Sequence, residues 1–425
     1  MIIPHTLKGF RDFLPRDARK RQYVINILKS VFELYGFEPL ETPVLEYEEI
    51  LAGKYGEEGE KLMYRFEDLG GRKVAMRYDQ TVPLARVIAQ FQNQISFPFK
   101  RYQIQPVWRA DNTQRGRFRE FLQCDIDTVG TESPLADAEI IATVLETYKK
   151  LGFKNLKLLL NDRRCLSNTY IKTSFDIPSE DIPHIFRALD KIKKIGEEGV
   201  LNELTQNNRF TQEQAKKILQ NIKIIKPTEK ITEILSLLEQ FNIDKSLIEF
   251  SPTLVRGLDY YTGIIFEIII EGYTSGSVGG GGRYDNLIGM FTNKQIPAVG
   301  FSFGFDRVID AMQTLGLFPP EIAGSATQVL VTIFSQELKN KSLAISNELR
   351  NNDINTESYL GEIKEKNPLE KQLKYADQKG IKNVIILGPE EAEKNIVTLK
   401  NLKTREQKKL TIKDAIDLLK SISKT

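Results

Sequence analysis

The sequence contains few cysteines and histidines, the residues that form disulfides and structural zinc sites. Its 425 residues include two cysteines, Cys124 and Cys165, and two histidines, His5 and His184, which are far apart in the chain. Without a Cys-x-x-Cys pair, neither a disulfide framework nor a structural zinc site of the usual Cys/His type is expected. Both histidines are interpreted as ordinary surface or packing residues, and no protein-bound metal is predicted.

The sequence also lacks a long apolar run. No stretch approaches the roughly 20 apolar residues that a helix needs to cross a membrane. The opening segment MIIPHTLKGFRDFLP carries charges and prolines where a secretory signal would need an apolar stretch. Because the sequence has neither feature and contains only two cysteines, the chain is expected in the cytoplasm, with no membrane partner.

The familiar nucleotide-binding motifs are absent as well. No G-x-x-x-x-G-K-[ST] loop occurs. The run SGSVGGGGRYDN is rich in glycine but lacks the strand-to-helix setting and the acidic ribose partner of a dinucleotide site. Taken alone, this run is interpreted as a flexible turn. If the chain binds ATP, it uses another architecture.

The charges that are present are unevenly distributed. The chain has 41% hydrophobic and 28% charged residues and a net charge of +3, and residues 325–425 hold 18 Lys and Arg against 14 Asp and Glu. These values indicate a globular protein of two or three domains with its basic excess in the last quarter. For Lys403, Arg405, Lys408 and Lys409, a solvated face and an RNA contact both remain open.

The order of apolar patterns predicts several regions. Residues 17–35 have helical spacing before Gly36, and the prolines of FEPLETPVLE favour an edge strand. Two antiparallel strands joined by a long basic hairpin follow, then a helix over 136–151 and a helical insertion. After the linker GLFPPEIAGS, strands and helices alternate, which predicts a small α/β domain with a largely parallel sheet.

The hairpin KRYQIQPVWRADNTQRGRFREFLQCDIDTVG carries the most chemistry. Arg109 ends its first strand and suits an α-phosphate, while Phe121 offers a flat face for a purine. Arg115 and Arg117 lie in the loop, within reach of outer phosphates. The alternative is a basic hairpin that contacts solvent or nucleic acid. That alternative does not explain Gln123, Asp125 and Asp127, which place polar groups on one sheet face at a period of two.

Two further segments carry polar residues in apolar surroundings. LVRGLDYYTG crowds Arg256, Asp259, Tyr260 and Tyr261 into a region that otherwise has a strand pattern. Buried polar groups need partners, so this segment is either a structural network or a site. PAVGFSFGFDRVIDAM places Arg307 early in a helix, where it could close over a triphosphate.

Together these segments resemble the class II aminoacyl-tRNA synthetases. YGFEPLETPVLE, VWRADNTQRGRFREF and VGFSFGFDR are similar to their three motifs, and LVRGLDYYTG and SVGGGGRYDN resemble the two signatures of the histidyl-tRNA synthetases. The resemblance covers nearly the whole chain. It implies an α+β catalytic core with a mainly antiparallel sheet in residues 1–165 and 251–318, a helical insertion over 166–250, and an α/β anticodon-binding domain over 327–425.

The resemblance also implies roles for individual residues. Asp79 and Thr81 would hold the amino group of histidine, Gln123 its backbone, and Asp127 with Tyr261 its imidazole, beside Tyr260. Arg109 and Arg256 would flank the α-phosphate as the catalytic pair, with Arg256 also at the histidine. The remaining ATP-binding residues would be Asp111, Arg117, Phe121 and Arg307. Glycines 279–282 would allow close approach to the substrate. Asp stands at 79, 111 and 127 where Glu is familiar in many bacterial members, and Gly at 279 and 280 where other residues are.

The activity implied is histidine–tRNA ligation, with ATP and Mg²⁺, L-histidine, a histidine tRNA and a second copy of the chain as partners. The principal alternative is a synthetase-like regulatory subunit of ATP phosphoribosyltransferase, which would lack the anticodon domain and an intact signature around Arg256. A pure RNA-binding module would have no use for the arginine and carboxylate set. A site that pairs both imidazole nitrogens rejects analogues without them by roughly 10⁴-fold, so no editing domain is expected.

Overall fold

The computed structural model describes residues 2–113, 117–166, 181–206, 209–255, 260–363 and 366–423. Its strands, in chain order, are β1 Glu38–Pro39, β2 Leu45–Tyr47, β3 Arg65–Glu67, β4 Lys73–Met76, β5 Phe99–Trp108, β6 Glu120–Val129, β7 Leu156–Asp162, β8 Ile248–Phe250, β9 Ile264–Ile270, β10 Gly279–Arg283, β11 Ala298–Phe303, β12 Val329–Val331, β13 Thr356–Ser358, β14 Asn383–Ile386, β15 Val397–Asn401 and β16 Gln407–Leu410.

The helices of the described residues are α1 Pro15–Leu34, α2 Glu48–Leu51, α3 Gly56–Lys61, α4 Thr81–Phe91, α5 Pro134–Lys150, α6 Ile182–Asp190, α7 Ile192–Thr205, α8 Gln212–Lys223, α9 Glu229–Gln240, α10 Phe305–Thr314, α11 Lys339–Arg350, α12 Pro368–Lys379, α13 Pro389–Glu393 and α14 Ile412–Ser423. Helix α7 is interrupted at Gly196, where φ is 70°. No helix in this part of the chain combines the length and apolar character needed to cross a membrane.

The chain forms two compact units, one of residues 1–12 and 21–317 and the other of residues 13–20 and 318–425. The first unit is built on an eight-stranded sheet of order β1-β5-β6-β11-β10-β9-β7-β8. Its inner pairs are antiparallel, and the two edge pairs, β1 with β5 and β7 with β8, are parallel. The mainly antiparallel core is therefore confirmed.

The predicted proline-bearing edge strand is also confirmed, although it is short. Strand β1 ends at Pro39 and pairs only with β5 among the described strands. Pro43 lies outside any strand, and the chain then enters β2 of a separate three-stranded sheet, β2-β4-β3. Because proline cannot donate to a ladder, the edge is the position that tolerates it.

The interpretation of the glycine run as a flexible turn is wrong. Residues Gly279–Arg283 form β10, which is hydrogen-bonded to β9 on one side and β11 on the other. A Cβ at Gly281 would overlap the carbonyl oxygen of Gly300 on β11. The neighbouring strands approach too closely for a side chain, so tertiary packing overrides the weak strand preference of glycine.

The described part of the predicted helical insertion contains helices α6 to α9 and ends in strand β8 of the eight-stranded sheet. Ile185, Leu204, Ile218 and Ile222 belong to a core cluster of its own. Thr211 starts α8 with a capping box, in which its hydroxyl accepts from Gln214 N and the Gln214 side chain accepts from Thr211 N. The described insertion residues fall within the first compact unit, so the boundaries 166–250 stay a prediction.

The second unit carries a five-stranded sheet of order β13-β12-β14-β15-β16. The prediction of a largely parallel sheet is half wrong, because β12, β13 and β14 are parallel but β15 and β16 add in antiparallel fashion. The five residues 402–406 that join β15 to β16 are too few for a parallel crossover, which needs a dozen or more. The α/β character is confirmed.

Candidate functional site

The predicted site residues converge on one cavity in the first unit. Its volume is about 290 Å³, and it opens beside the middle of the eight-stranded sheet, at strands β6, β10 and β11. Eleven predicted residues line it: Asp79, Thr81, Arg109, Asp111, Arg117, Phe121, Gln123, Asp127, Tyr260, Tyr261 and Arg307. Arg256, with Arg115 and Asp259, lies outside the described residues.

The floor of the cavity rests on a polar ladder between β5 and β6. Residues 101, 103 and 105 of β5 lie directly opposite 127, 125 and 123 of β6, and opposite residues in an antiparallel pair share one face. The predicted inward face of Gln123, Asp125 and Asp127 is thus confirmed, since all three are buried and line the cavity. Its partners on β5, Arg101, Gln103 and Gln105, are the part that was not predicted.

Asp127 is held from two sides. Its Oδ2 lies 2.7 Å from Arg101 Nη2, and its Oδ1 accepts a hydrogen bond from the Tyr284 hydroxyl. A Cβ at Gly300 of β11 would overlap this carboxylate, so only glycine leaves room for it there. Burial raises the pKa of Asp127 to about 6 in spite of the nearby guanidinium. The carboxylate is therefore ionised at neutral pH and can accept from a ring N–H.

Asp79 forms a second buried carboxylate at the start of α4. Its Oδ1 accepts from the Tyr55 hydroxyl at 2.9 Å and from Val82 N at 3.1 Å. Burial raises the pKa of Asp79 to about 6. Thr81, two residues on, lines the same wall of the cavity. At neutral pH this carboxylate suits an ammonium group.

Gln123 and Asp125 form a connected pair between these carboxylates. Gln123 Nε2 donates to Asp125 Oδ2 at 2.7 Å, and the Ser302 hydroxyl also donates to Asp125. Burial raises the pKa of Asp125 as well. Because the amide nitrogen of Gln123 is fixed in this way, Asp125 orients the residue predicted to contact the histidine backbone.

The opposite end of the cavity carries arginines and aromatic rings. The Arg109 guanidinium lies 4.4 Å from the Tyr78 ring centre and 5.2 Å from that of Phe121, and its Nε donates to Tyr78 O. Arg117 Nη1 is 3.8 Å from Asp111 Oδ1, with half of the Arg117 side chain exposed. This end can take a planar base and phosphates.

A sequence model described as histidyl-tRNA synthetase matches residues 9–308, and one described as an anticodon binding domain matches residues 328–422. The chain belongs to the histidyl-tRNA synthetase family. The histidine–tRNA ligase of Cytophaga hutchinsonii is 38% identical over 461 residues, covering 99% of this chain and all of that protein. That of Wolinella succinogenes is 37% identical over 444 residues, covering 99% and 98%.

Solved structures of this family share the fold. The histidyl-tRNA synthetase of Nostoc sp. superimposes with a TM-score of 0.84 at 30% identity, covering 99% of this chain and all of that one. The apo enzyme of S. aureus matches with a TM-score of 0.70 at 24% identity, covering 98% and 100%. The resemblance noted in the motifs is thus confirmed over the full length.

In this member of the family, the remaining predicted residues complete the cavity wall. Tyr260 packs against Tyr261 and Tyr284 with ring centres 5.0 and 5.9 Å apart. Arg307, in the first turns of α10, donates through Nη1 to Ser277 O at 2.8 Å. The guanidinium found over the Phe121 ring is that of Arg109, and the clamp of adenine between Phe121 and Arg307 stays a prediction.

Several contacts at the cavity were not predicted. Asp306, beside Arg307, pairs with Arg11 at 2.9 Å and Arg21 at 2.7 Å, and the Arg11 guanidinium lies 3.2 Å from the centre of the Phe118 ring. Burial lowers the pKa of Arg11. The opening segment that holds Arg11 contains no sign of this contact in its sequence. Tyr284 stands in the SVGGGGRYDN signature, which could have identified it.

Proposed function

We propose that this chain is a histidine–tRNA ligase, which joins L-histidine to ATP as an adenylate and then transfers histidine to its tRNA. The observation that carries the proposal is that one cavity gathers the buried carboxylates expected for histidine and the arginine and aromatic groups expected for ATP.

In the first step, an oxygen of the histidine carboxylate attacks the α-phosphorus of ATP. The new carboxylate–phosphorus bond forms as the bond to the β-phosphate oxygen breaks, and pyrophosphate leaves. No protein nucleophile is required, so the residues act by positioning the reactants and stabilising negative charge. Arg109 serves that purpose because a guanidinium cannot lose its charge in proteins. Arg256, outside the described residues, is proposed as its partner by resemblance.

Histidine is proposed to bind at the floor. The Asp79 carboxylate and Thr81 bind the ammonium group of histidine, and the Gln123 amide contacts its backbone. Asp127 and Tyr261 take the two imidazole nitrogens, with Tyr260 in the adjoining wall. Pairing both nitrogens excludes side chains that lack them, because the buried groups would be left without partners.

ATP is proposed to bind at the open end, with Phe121 and Arg307 on the adenine, Asp111 beside it and Arg117 on the outer phosphates. Mg²⁺ is proposed to arrive with ATP as part of the substrate. Magnesium commonly binds through substrate phosphates with one or two carboxylates, and it retains several waters. It therefore needs no cage of protein ligands, and the described residues contain no cluster of three or more His, Cys, Asp or Glu suited to one.

In the second step, a hydroxyl of the 3′-terminal adenosine of tRNA attacks the adenylate carbonyl. The ester forms, the bond to phosphate breaks, and AMP leaves. The second unit, matched by the anticodon-binding family, is proposed to hold the other end of the tRNA. Lys403, Arg405, Lys408 and Lys409 of this unit are all exposed, and Lys409 also pairs with Glu390 and Glu391.

We also propose a homodimer in the cytoplasm. Support for the dimer comes from the small sheet, where Leu45, Tyr47 and Phe66 are 41 to 53% exposed. Tyr47 and Phe66 lie opposite Val74 on one face, and the strand that holds Tyr47 directly follows the edge strand β1 in the chain. Contiguous exposed apolar residues of this kind favour an interface. The low cysteine content supports a reducing compartment.

The regulatory-subunit alternative is weaker for this chain, because the anticodon-binding match spans residues 328–422. Histidine-dependent exchange of labelled pyrophosphate into ATP tests the proposal. We expect exchange with L-histidine and aminoacylation of a histidine tRNA. A folded, dimeric protein without exchange would instead support a regulatory or RNA-binding role.

A further inference from the structure

Arg101 lies directly behind the floor of the cavity. It is fully buried in β5, does not line the cavity itself, and stands opposite Asp127 in the ladder. Its Nη2 is 2.7 Å from Asp127 Oδ2 and 3.9 Å from Asp125 Oδ2, and its Nη1 donates to Gln103 Oε1 at 3.2 Å. One guanidinium therefore supports two carboxylates that face the cavity.

Stability alone is a poor reason for this arrangement. Taking a guanidinium and a carboxylate out of water is costly, and apolar replacements of a buried ion pair are often neutral or stabilising. Arg101 Nε and Asp127 Oδ2 both lack a hydrogen-bond partner among the described residues, so their contact is an ion pair in which neither group is fully satisfied. The buried ion pair is better explained by the effect of Arg101 on Asp127.

The surroundings of Asp127 are otherwise acidic. Asp125 lies on the same strand as Asp127, and Asp79 lies in the loop before α4. The Tyr284 hydroxyl belongs to the segment after β10. Gly300 on β11 contributes no charged group. Arg109 acts on Asp79 and Asp125. Arg101 is the positively charged group that acts most strongly on Asp127.

We propose that Arg101 is a positioning residue for the imidazole of histidine, holding Asp127 ionised and fixed so that Asp127 accepts the ring N–H. The proposal rests on the proposed function. Without Arg101, Asp127 would face two acids and a phenol, and its protonated fraction at neutral pH would grow. A protonated Asp127 offers a donor where the ring also offers one. Arg101 thereby contributes to the choice of amino acid without touching it.

The test measures histidine-dependent ATP–pyrophosphate exchange by wild type, Arg101→Met and Arg101→Lys between pH 6.5 and 8.5. At pH 7 we expect the histidine KM of Arg101→Met to rise roughly 10- to 100-fold, the range for loss of a hydrogen bond to a charged group. The ATP KM should stay within about threefold. The ratio of mutant to wild-type KM should fall as pH rises, because Asp127 ionises again. Arg101→Lys keeps the charge and should recover most of the loss.

Arg77→Met is the matched control. Arg77 is equally buried, but its guanidinium donates to the neutral carbonyls of Thr42 and Pro106, at 2.6 and 2.8 Å. Its loss should lower the melting temperature and leave any effect on histidine KM independent of pH. A folded Arg101→Met with unchanged histidine KM, or with a deficit as flat with pH as that of Arg77→Met, would overturn the proposal.

If Arg101→Met does not fold, Arg101→Gln, which is also neutral but polar, decides the question. A rise in histidine KM larger than that in ATP KM supports positioning, and equal rises in both overturn it. Exchange absent from the wild-type protein would instead refute the proposed function, so the two failures are distinguishable.

Discussion

The two ends of the cavity differ in burial and in charge. At the floor, Asp79, Asp125 and Asp127 are no more than 4% exposed, and buried partners fix each of them. At the open end, half of the Arg117 side chain is exposed and its nearest acid, Asp111, is 3.8 Å away. Desolvated polar groups discriminate strongly between ligands, whereas exposed charges are screened and adaptable. The floor is thus suited to selecting one amino acid, and the open end to holding a nucleotide used by many enzymes.

Arg109 belongs to the arginine-bearing end but also acts on Asp79 and Asp125 of the floor, so its removal should have the largest effect. For Arg109→Ala we expect kcat for pyrophosphate exchange to fall roughly 10²- to 10³-fold, as when one preorganised donor to a developing charge is lost. Single-turnover adenylate formation measures this directly. Arg117→Ala is the control, and its kcat should fall by less than about tenfold. Equal losses of kcat in both variants would show that Arg109 and Arg117 contribute alike to adenylate formation.

Asp127→Asn tests the floor. The amide has nearly the same shape, but it leaves Arg101 without its counter-charge and presents a donor to the ring. We expect the histidine KM to rise roughly 10- to 100-fold, with the ATP KM little changed. Asp137→Asn is the matched control, because Asp137 is fully buried and paired with Arg283 at 2.6 Å outside the cavity lining. The idea fails if Asp137→Asn shifts histidine KM as much as Asp127→Asn does.

The pH dependence should sharpen the same contrast. The pKa values of Asp79 and Asp127 are each raised from 3.8 to about 6, so below pH 6 both carboxylates become protonated and lose their pull on histidine. We expect kcat/KM for histidine to fall about tenfold or more per pH unit there. Phe121→Ala should show the same dependence of kcat/KM for histidine on pH as the wild-type protein does. Asp127→Asn should show a shallower dependence.

Stability should change in the opposite direction over that range. Between about pH 4 and 6 the folded chain binds more protons at Asp79 and Asp127 than the unfolded chain does, so these groups lower the free energy of unfolding as pH rises. This contribution is measured by subtracting the urea unfolding midpoint of Asp79→Asn from that of the wild-type protein at each pH. A difference that grows in favour of wild type as pH rises from 4 to 6 would contradict the raised pKa of Asp79.

How much of this was visible in the sequence depends on how local each feature is. The period-two face of β6 is local, and it correctly placed Gln123, Asp125 and Asp127 together. Arg101, Gln103 and Gln105 show the same alternation, but their meaning depends on the register of β5 against β6, which no local pattern specifies. Strand β10 shows the converse, because glycines that favour a turn locally become a strand where neighbouring backbones crowd.

Phe121→Ala should have the smallest effect, and it tests whether the open end holds adenine by its flat faces. The Phe121 ring is half-buried and lies near the Arg109 guanidinium, so an adenine stacked there would gain about 1 to 3 kcal/mol, the value per base for aromatic stacking. We expect the ATP KM to rise roughly tenfold, with histidine KM within about threefold of wild type. Phe121→Tyr retains the flat face and should stay near wild type. Since Phe121 lies on β6 with Gln123, a change in histidine KM as large as that in ATP KM would mean that the two ends of the cavity are coupled through this strand rather than independent.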